Sequence, residues 1–338
     1  MSPKIVATAV LLAAVVLALL LGPAWDPGTQ DLAVTLLVYL VVAQSWNILA
    51  GFSGQVSLGS AAFVAVGGYT AGLTLAHTPV SWQLGVVAAA GVSCGFAALL
   101  ALPLLRLRGD YFAIGSLAVS IALQALLTNW NWAGGAAGMT LPIDRIPTGT
   151  ALLDLAVLVA AAATAAALYV RYSAFGLRLA AVRDNEPAAA GLGVGVYGHR
   201  LAALVLSGAL TGMAGAVAAY QYVAVSPSGM ASIGWSLGAV LMALVGGTGS
   251  VVGPFVGVLI VYYGLTRQLE DFQVASLAIE GALLVVIVRF APAGVVSVIS
   301  RGVRTLGVRW PRSPGPGSSA ADPAEPEEPL SVLERGLV

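Results

Sequence analysis

Long apolar runs fill most of the chain, and short polar stretches separate them. These runs lack the alternation of apolar and polar positions that marks half-buried strands, so the pattern predicts helices. A helix needs about 20 apolar residues to cross the hydrocarbon core of a bilayer. Runs of suitable length lie near residues 5–22, 31–50, 60–77, 83–105, 111–128, 151–170, 201–223, 233–247, 250–266 and 272–290. We therefore expect an all-α, polytopic transmembrane helix bundle of about ten spans.

The composition supports this fold class. Hydrophobic residues make up 59% of the chain and charged residues only 9%, whereas about a quarter of the residues in a soluble domain are charged. Cys94 is the single cysteine, which excludes an intramolecular disulfide, and His77 and His199 are too few for a metal cluster. No nucleophile–base constellation or phosphate-binding loop is present. We expect no catalytic residue, no metal site and no cofactor bound by this chain, so it is not an enzyme.

The placement of the arginines predicts the orientation. If Lys4 is cytoplasmic, successive crossings leave only Arg145 and Arg267 outside, as the positive-inside rule requires. Five tryptophans then lie at the outer interface, which suits the amphipathic indole ring. They are Trp25, Trp82, Trp130, Trp132 and Trp235. The cytoplasmic arginines are Arg106, Arg108, Arg171, Arg178, Arg183, Arg200, Arg301, Arg304, Arg309 and Arg312.

The two ends of the chain differ from its middle. The first run, 5–22, follows Lys4 and could be a cleaved secretory signal, although it exceeds the usual apolar signal region of about 7–15 residues. Charge alternation leaves this question open. Residues 301–338 are basic and then rich in proline, small residues and acids, which predicts a disordered cytoplasmic tail. Residues 1–300 form the predicted membrane domain.

A polar segment interrupts the apolar pattern at residues 44–63. Gly51, Gly54 and Gly59 permit a broken helix there, near the core of the bundle. Non-helical backbone at membrane depth persists only when it is buried in protein or lines a watery cavity, and transporters present such backbone to substrate. The alternative is a cytoplasmic turn with polar caps. The candidate pathway-lining residues of this segment are Gln44, Asn47, Ser53, Gln55, Ser57 and Ser60.

Glu280 is a further candidate for lining the pathway. It falls near the middle of the last predicted span, where a charged side chain costs on the order of 3 kcal/mol. A carboxyl group at this depth normally faces a partner or a cavity. A protonated or hydrogen-bonded structural acid is the other interpretation.

Glycine is abundant, and two glycine-rich turns resemble each other. We call residues 50–59, AGFSGQVSLG, the first glycine turn and residues 245–254, VGGTGSVVGP, the second glycine turn. The similarity is too weak to predict a repeat. Gly208, Gly212 and Gly215 have the spacing of small residues that let membrane helices pack closely.

The segment at residues 173–200, called the coupling loop below, carries five charged residues between apolar runs. Within it, residues 183–194 predict a short helix. Asp184 or Asn185 can cap this helix, Glu186 and Pro187 suit its first turn, and a glycine at 191 or 193 can end it. An ordinary solvated loop is the alternative, because positive residues alone would explain the charge.

The short helix resembles the EAA-type coupling loop of ABC importer permeases. The whole chain resembles the LivM type of branched-chain amino acid permease in five ordered blocks between about residues 31 and 300: 47–71, 105–118, 173–194, 241–257 and 289–295. Pro187 departs from the usual aliphatic residue, and Glu280 from a usually apolar position, which leaves the substrate open. The resemblance implies an ATPase-coupling role for Arg183, Asp184, Asn185, Glu186, Ala188, Ala189, Gly191 and Gly193.

The resemblance also implies a transport system. We expect a multi-pass protein of the bacterial cytoplasmic membrane with both termini cytoplasmic, paired with a LivH-type permease. Two ATP-binding subunits of the LivG/LivF type would bind ATP, and an extracytoplasmic binding protein would deliver branched-chain or other hydrophobic amino acids. An importer of urea or short amides is one alternative. A proton-coupled secondary transporter is a weaker one, since it gives no reason for a capped loop helix.

Overall fold

The computed structural model of the chain describes residues 22–266 and, beyond them, Ala18, Ile279, Gly281, Ala282, Leu283 and Val285. All of them belong to the first of two units of the chain, Met1–Ile299. Glu280, the tail at 301–338 and most of the first and last predicted runs lie outside the described residues.

The described residues are predominantly helical, as predicted. The α-helices are α1 (Pro27–Trp46), α2 (Ser60–His77), α3 (Trp82–Leu104), α4 (Asp110–Asn129), α5 (Thr150–Tyr172), α6 (Ala174–Asp184), α7 (Glu186–Gly191), α8 (Val196–Tyr222), α9 (Pro227–Met230), α10 (Ile233–Gly246) and α11 (Gly253–Val261). Strands β1 (Met139–Thr140) and β2 (Ala224–Val225) pair antiparallel. π-Helical turns follow α1 at Asn47–Phe52 and α11 at Tyr262–Thr266, and 3-10 turns lie at Gly22–Ala24, Asn131–Ala133, Gly135–Ala137 and Ile143–Arg145.

Local sequence signals set where several helices begin. The Asp26 carboxylate accepts a hydrogen bond of 3.0 Å from the Thr29 backbone N–H, and Pro27 occupies the first turn of α1. An acidic N-cap followed by proline satisfies a free N–H and fixes the first backbone angle of a helix. The start of α1 therefore follows from the chain itself.

Six described segments are long and apolar enough to cross a membrane: Pro27–Phe52, Trp82–Leu104, Asp110–Asn129, Thr150–Tyr172, Val196–Tyr222 and Pro227–Gly246. The predicted number of ten spans is not confirmed. The 18-residue helix α2 is not among the six, and the apolar helix Gly253–Gly264 is too short to be one. Each of these two helices follows a glycine turn, and neither meets both the length and the hydropathy expected of a full span.

The centre of the bundle is packed through small residues on α2, α3 and α8. A Cβ on Gly67 would collide with the carbonyl oxygen of Gly212, and one on Gly215 would collide with that of Val64. Gly212 also lies against the Ser93 side chain of α3. Lipid provides little hydrophobic drive for helix association, so close backbone approach supplies the contact. The predicted packing role of Gly208, Gly212 and Gly215 agrees with this geometry.

Trp82 and Trp132 lie at one end of the described bundle, and Arg171 and Arg183 lie at the other end. At one end β1 pairs with β2, His77 stacks on Trp132 with ring centroids 4.9 Å apart, and the Tyr220 hydroxyl donates to the Trp82 carbonyl oxygen. At the other end, which we call the arginine end, the coupling loop meets both glycine turns. The placement of these four residues agrees with the pattern read from the sequence, and the orientation of the bundle in the membrane stays a prediction.

Candidate functional site

The short helix predicted in the coupling loop is present as α7. Asn185 is its N-cap, since the Asn185 Oδ1 accepts a 3.0 Å hydrogen bond from the Ala188 N–H, and Pro187 lies in the first turn. Gly193 follows the helix with φ +81°, a backbone conformation that favours glycine. Of the two caps that the sequence left open, Asn185 is the one used. Arg183 and Asp184 instead end the preceding helix, α6.

Helix α6 supports α7, and the sequence did not reveal it. Ser173 caps α6 by accepting from the Gly176 N–H, while Leu179 and Val182 are fully buried on its inner face. A Cβ on Gly176 would collide with the Val170 carbonyl oxygen, so α6 starts in direct contact with the end of α5. Because α6 is anchored in this way, α7 has a defined position at the arginine end.

An ion pair ties α7 to the next helix. Arg200 Nη2, near the start of α8, lies 3.1 Å from Glu186 Oε2, and the two side chains are 17% and 30% exposed. A pair this close to solvent contributes on the order of 1 kcal/mol or less. Glu186 therefore has a partner within its own chain, which the sequence pattern did not predict.

The outer surface of the coupling loop exposes apolar side chains. Leu192 is 85% exposed and Leu177 is 74% exposed, more than any other large apolar side chain among the described residues. Both lie outside the described spans, between Thr150–Tyr172 and Val196–Tyr222. Of the predicted coupling residues, Ala189 is buried and Glu186 half-buried; Arg183, Asp184, Asn185, Ala188, Gly191 and Gly193 are exposed.

The predicted helix break between α1 and α2 is also present. After the π-helical turn at Asn47–Phe52, residues 53–59 form no helix until α2 begins at Ser60. Serine hydroxyls satisfy the backbone N–H groups that the break frees. The Leu58 N–H donates to Ser116 Oγ at 2.9 Å, the Gly59 N–H to Ser57 Oγ at 3.1 Å, and the Ala61 N–H to Ser236 Oγ at 3.0 Å.

Ser116 and Ser236 are therefore part of the break, although neither was predicted. They come from α4 and α10, far from the break in sequence, and both are buried. A lone serine within an apolar run carries no signal for such a contact. The break is thus built by three separate elements.

The second glycine turn packs directly against the first helix. The Asn47 side chain makes two hydrogen bonds of 2.8 Å, accepting from the Gly249 N–H and donating to the Ser250 carbonyl oxygen. Gln44 Nε2 donates to the Val251 carbonyl oxygen at 2.7 Å. The two glycine turns that looked alike in sequence therefore lie together at the arginine end.

All six candidate pathway-lining residues of the polar segment are buried within the protein. Gln44, Asn47 and Ser53 have no exposed surface, and the others expose 4–7%. Ser53 Oγ donates to the Leu49 carbonyl oxygen, so it also bonds within the protein. Their contact with substrate stays a prediction. The six are Gln44, Asn47, Ser53, Gln55, Ser57 and Ser60, and the seventh candidate, Glu280, lies outside the described residues.

Two arginines reach from the coupling-loop side to the glycine turns. Arg183 Nη1 donates to the Gly51 carbonyl oxygen at 2.9 Å, and Arg171 Nη1 donates to the Gly249 carbonyl oxygen at 3.2 Å. The site at the arginine end thus has an outer, partly apolar surface on the coupling loop and an inner face that contacts the breaks in the bundle.

Comparison with known proteins identifies the family. The family model described as "Branched-chain amino acid transport system / permease component" matches residues 28–288. The chain is 28% identical over 321 residues to the high-affinity branched-chain amino acid transport system permease protein LivM of Escherichia coli K12, covering 82% of this chain and 73% of that protein. It is 27% identical to the LivM protein of Salmonella typhimurium LT2, with the same coverage.

A third relative has a different name. The chain is 31% identical over 186 residues to the nucleoside ABC transporter permease protein NupC of Lactococcus lactis, covering 49% of this chain and 56% of that protein. No solved structure matches the chain. The family match spans most of the helices described above, together with the coupling loop and both glycine turns. The chain is a multi-pass membrane protein that belongs to the family of permease components of branched-chain amino acid transport systems.

Proposed function

We propose that the chain is the translocating subunit of an ABC importer in the bacterial cytoplasmic membrane. It moves branched-chain or other hydrophobic amino acids that an extracytoplasmic binding protein delivers. Both termini and the arginine end face the cytoplasm, as the positive-inside rule favours for Arg106, Arg108, Arg171, Arg178 and Arg200. The observation that carries this proposal is the capped helix α7 with exposed leucines on either side of it, outside every described span.

The two exposed leucines, Leu177 and Leu192, form an apolar docking surface on the coupling loop. Two large apolar side chains exposed on one short loop are consistent with a surface that another protein covers. Burying a leucine contributes about 2 kcal/mol, so Leu177 and Leu192 together supply about 4 kcal/mol on docking. The occupant is an ATP-binding subunit, and ATP is bound and hydrolysed there rather than on this chain. The exposed residues among the predicted coupling residues belong to the same loop as these leucines.

The assembly contains a second, LivH-type permease and two ATP-binding subunits of the LivG/LivF type. Closure of the ATP-binding subunits on ATP displaces α7 and shifts the bundle between inward- and outward-facing states. These two states need differ by only a few kcal/mol for binding energy to switch them. Helix α7 is short and capped, so it transmits displacement with little internal deformation.

Sequence similarity identifies the solute less firmly than it identifies the family. The names of the two LivM relatives favour branched-chain amino acids as the solute. Because a shorter match is to a nucleoside permease, nucleosides are the second solute to test. Neither the urea or amide importer nor the proton-coupled transporter is favoured by the relatives. Glu280, the residue that suggested proton coupling, would then be a structural acid in the last span.

The test is uptake by the complete complex in proteoliposomes. The vesicles contain the permease pair and the ATP-binding subunits, with binding protein outside and ATP inside. We expect ATP-dependent uptake of leucine, isoleucine or valine that survives collapse of the proton gradient. Leu192→Glu should abolish capture of the ATP-binding subunits, whereas Leu192→Met, which keeps an apolar side chain, should retain it. Uptake that needs the proton gradient and ignores ATP would overturn the proposal.

A further inference from the structure

We propose that Arg171 and Arg183 are positioning residues that join the coupling loop to both glycine turns. When an ATP-binding subunit displaces α7, the arginines make the loop, the end of α1 and the turn between α10 and α11 move as one unit. This inference rests on the proposed function, since it concerns how the displacement of α7 reaches the spans. It assigns the guanidinium of Arg183 to a contact with the first glycine turn, although the residue itself is exposed on the coupling loop.

The first arginine occupies a carbonyl group that the helix break leaves free. In a regular helix the Gln55 N–H, four residues ahead, would donate to the Gly51 carbonyl oxygen. Here the Gln55 N–H donates to the Leu49 carbonyl oxygen at 3.2 Å. Arg183 Nη1 donates to the Gly51 oxygen instead, at 2.9 Å. A guanidinium–carbonyl bond is charge-assisted, which makes it stronger than a neutral one.

Gly54 makes room for the Arg183 side chain. Gly54 has φ +76°, and a Cβ built on it would lie 2.6 Å from Arg183 Cγ. The arginine stem therefore crosses the first glycine turn at the one residue type that permits both the backbone angle and the approach. Asp184 Oδ1 accepts a 2.9 Å hydrogen bond from Arg183 Nε, which orients the guanidinium. The glycine turn and the arginine fit each other.

The second arginine makes the equivalent contact with the second glycine turn. Arg171, at the end of α5, donates through Nη1 to the Gly249 carbonyl oxygen at 3.2 Å. The N–H of the same Gly249 donates to Asn47 Oδ1, and Asn47 belongs to the π-helical turn that contains Gly51. The contacts therefore form a closed chain from α6 through both turns to α5.

A neighbouring arginine supplies a matched control. Arg178 is exposed on the same helix as Arg183, and no hydrogen bond or ion pair of its side chain occurs within the described part of the chain. Removing Arg178 changes the charge of the loop as much as removing Arg183 does. Only Arg183 contacts a glycine turn, so the two substitutions separate charge from linkage.

The experiment uses the complete complex in proteoliposomes and measures solute taken up per ATP hydrolysed. Arg183→Ala should lower this ratio roughly tenfold, the change expected when one charge-assisted hydrogen bond no longer favours the coupled state. Arg183→Lys, which can still donate to the Gly51 oxygen, should recover part of it, and Arg178→Ala should match the unmodified protein. A merely structural role would lower the amount of complex without changing the ratio.

A distance measurement tests the linkage itself. Spin labels at Tyr197, which is in the coupling loop, and at Val252, which is in the second glycine turn, are placed in a Cys94→Ser background; both positions are exposed. Their separation should stay constant between the nucleotide-free and ATP-trapped states, and should change between these states in the Arg171→Ala/Arg183→Ala double variant. Two results would overturn the inference. One is a separation that already changes between the two states when both arginines are present. The other is an equal uptake ratio for Arg183→Ala and Arg178→Ala.

The same measurements distinguish the inference from the proposed function. If the proposed function is wrong, the unmodified complex shows no ATP-dependent uptake and captures no ATP-binding subunit. If only the linkage is wrong, the unmodified complex transports normally and the arginine variants transport equally well.

Discussion

Replacing Asn47 by alanine removes the side chain that holds the two glycine turns together. Asn47 has no exposed surface, accepts from the Gly249 N–H and donates to the Ser250 carbonyl oxygen, both at 2.8 Å. Alanine can form neither hydrogen bond. The substitution therefore leaves one backbone donor and one backbone acceptor of the second glycine turn without their partner in the protein interior.

The size of the effect follows from the burial of these groups. Hydrogen bonds between membrane helices contribute about 0.6 kcal/mol each on average, so two bonds set a lower bound near 1 kcal/mol. A buried backbone group left unpaired costs about 1–3 kcal/mol. Because Asn47 is completely buried, we expect a loss of about 3 kcal/mol in the free energy of unfolding. Asn47→Asp should cost at least as much, since a carboxylate oxygen would face the Ser250 carbonyl oxygen.

Thermal unfolding of the purified protein in detergent measures this loss. A destabilisation of about 3 kcal/mol corresponds to a fall in Tm of roughly 6–12 °C for a domain of this size class. Asn129→Ala is the matched control, because Asn129 is exposed and its Nδ2 donates only to Ala125 in the same helix. Equal melting temperatures for the Asn47→Ala and Asn129→Ala variants would refute the reasoning, since the two hydrogen bonds would then contribute nothing.

Three further predictions follow from the packing, the ion pair and the last predicted span. Gly67→Ala should destabilise the bundle by about 1–3 kcal/mol, measured by the same melting assay, because its Cβ meets the backbone of α8, whereas Gly91→Ala, which faces open space, should not. Glu186→Lys should abolish ATP-dependent uptake without preventing insertion, because a lysine would face Arg200. The double exchange Glu186→Lys/Arg200→Glu should restore uptake. If it does not, the ion pair is not the reason for the loss of uptake. Glu280→Gln should leave coupling to ATP intact, and loss of ATP-driven uptake in that variant would assign the acid a direct role.

Short-range sequence patterns were sufficient to predict much of the secondary structure of this protein. The apolar runs predict where the long described helices lie, and the cap at Asn185 with Pro187 predicts α7, whereas α6 and α9 lie outside every run. The placement of Trp82 and Trp132 at the end opposite Arg171 and Arg183 could also be read from the chain, because it follows from counting crossings. Each of these signals acts within one or two helical turns or depends only on the order of the runs, so no knowledge of packing is needed.

The number of spans and the role of the polar segment could not be read in the same way. Each glycine turn lies between two apolar runs, and hydropathy alone does not distinguish a broken helix from two spans joined by a turn. The polar side chains in the break were predicted to face a pathway, and nothing in the sequence showed that Gln44 and Asn47 bond to residues about 200 positions away. Periodicity contains no information on such partners.

Sequence alone thus determined the class of the protein, the positions of its long described helices and the short capped helix of the coupling loop, since these depend on local backbone preferences and on transfer of apolar residues into lipid. Only the tertiary structure decided that Arg183 turns inward to Gly51, that Ser116 and Ser236 complete the helix break, and that the two glycine turns form one site. The physical reason is that a polar group buried in a membrane protein must find a partner, and which partner it finds is set by how distant helices pack.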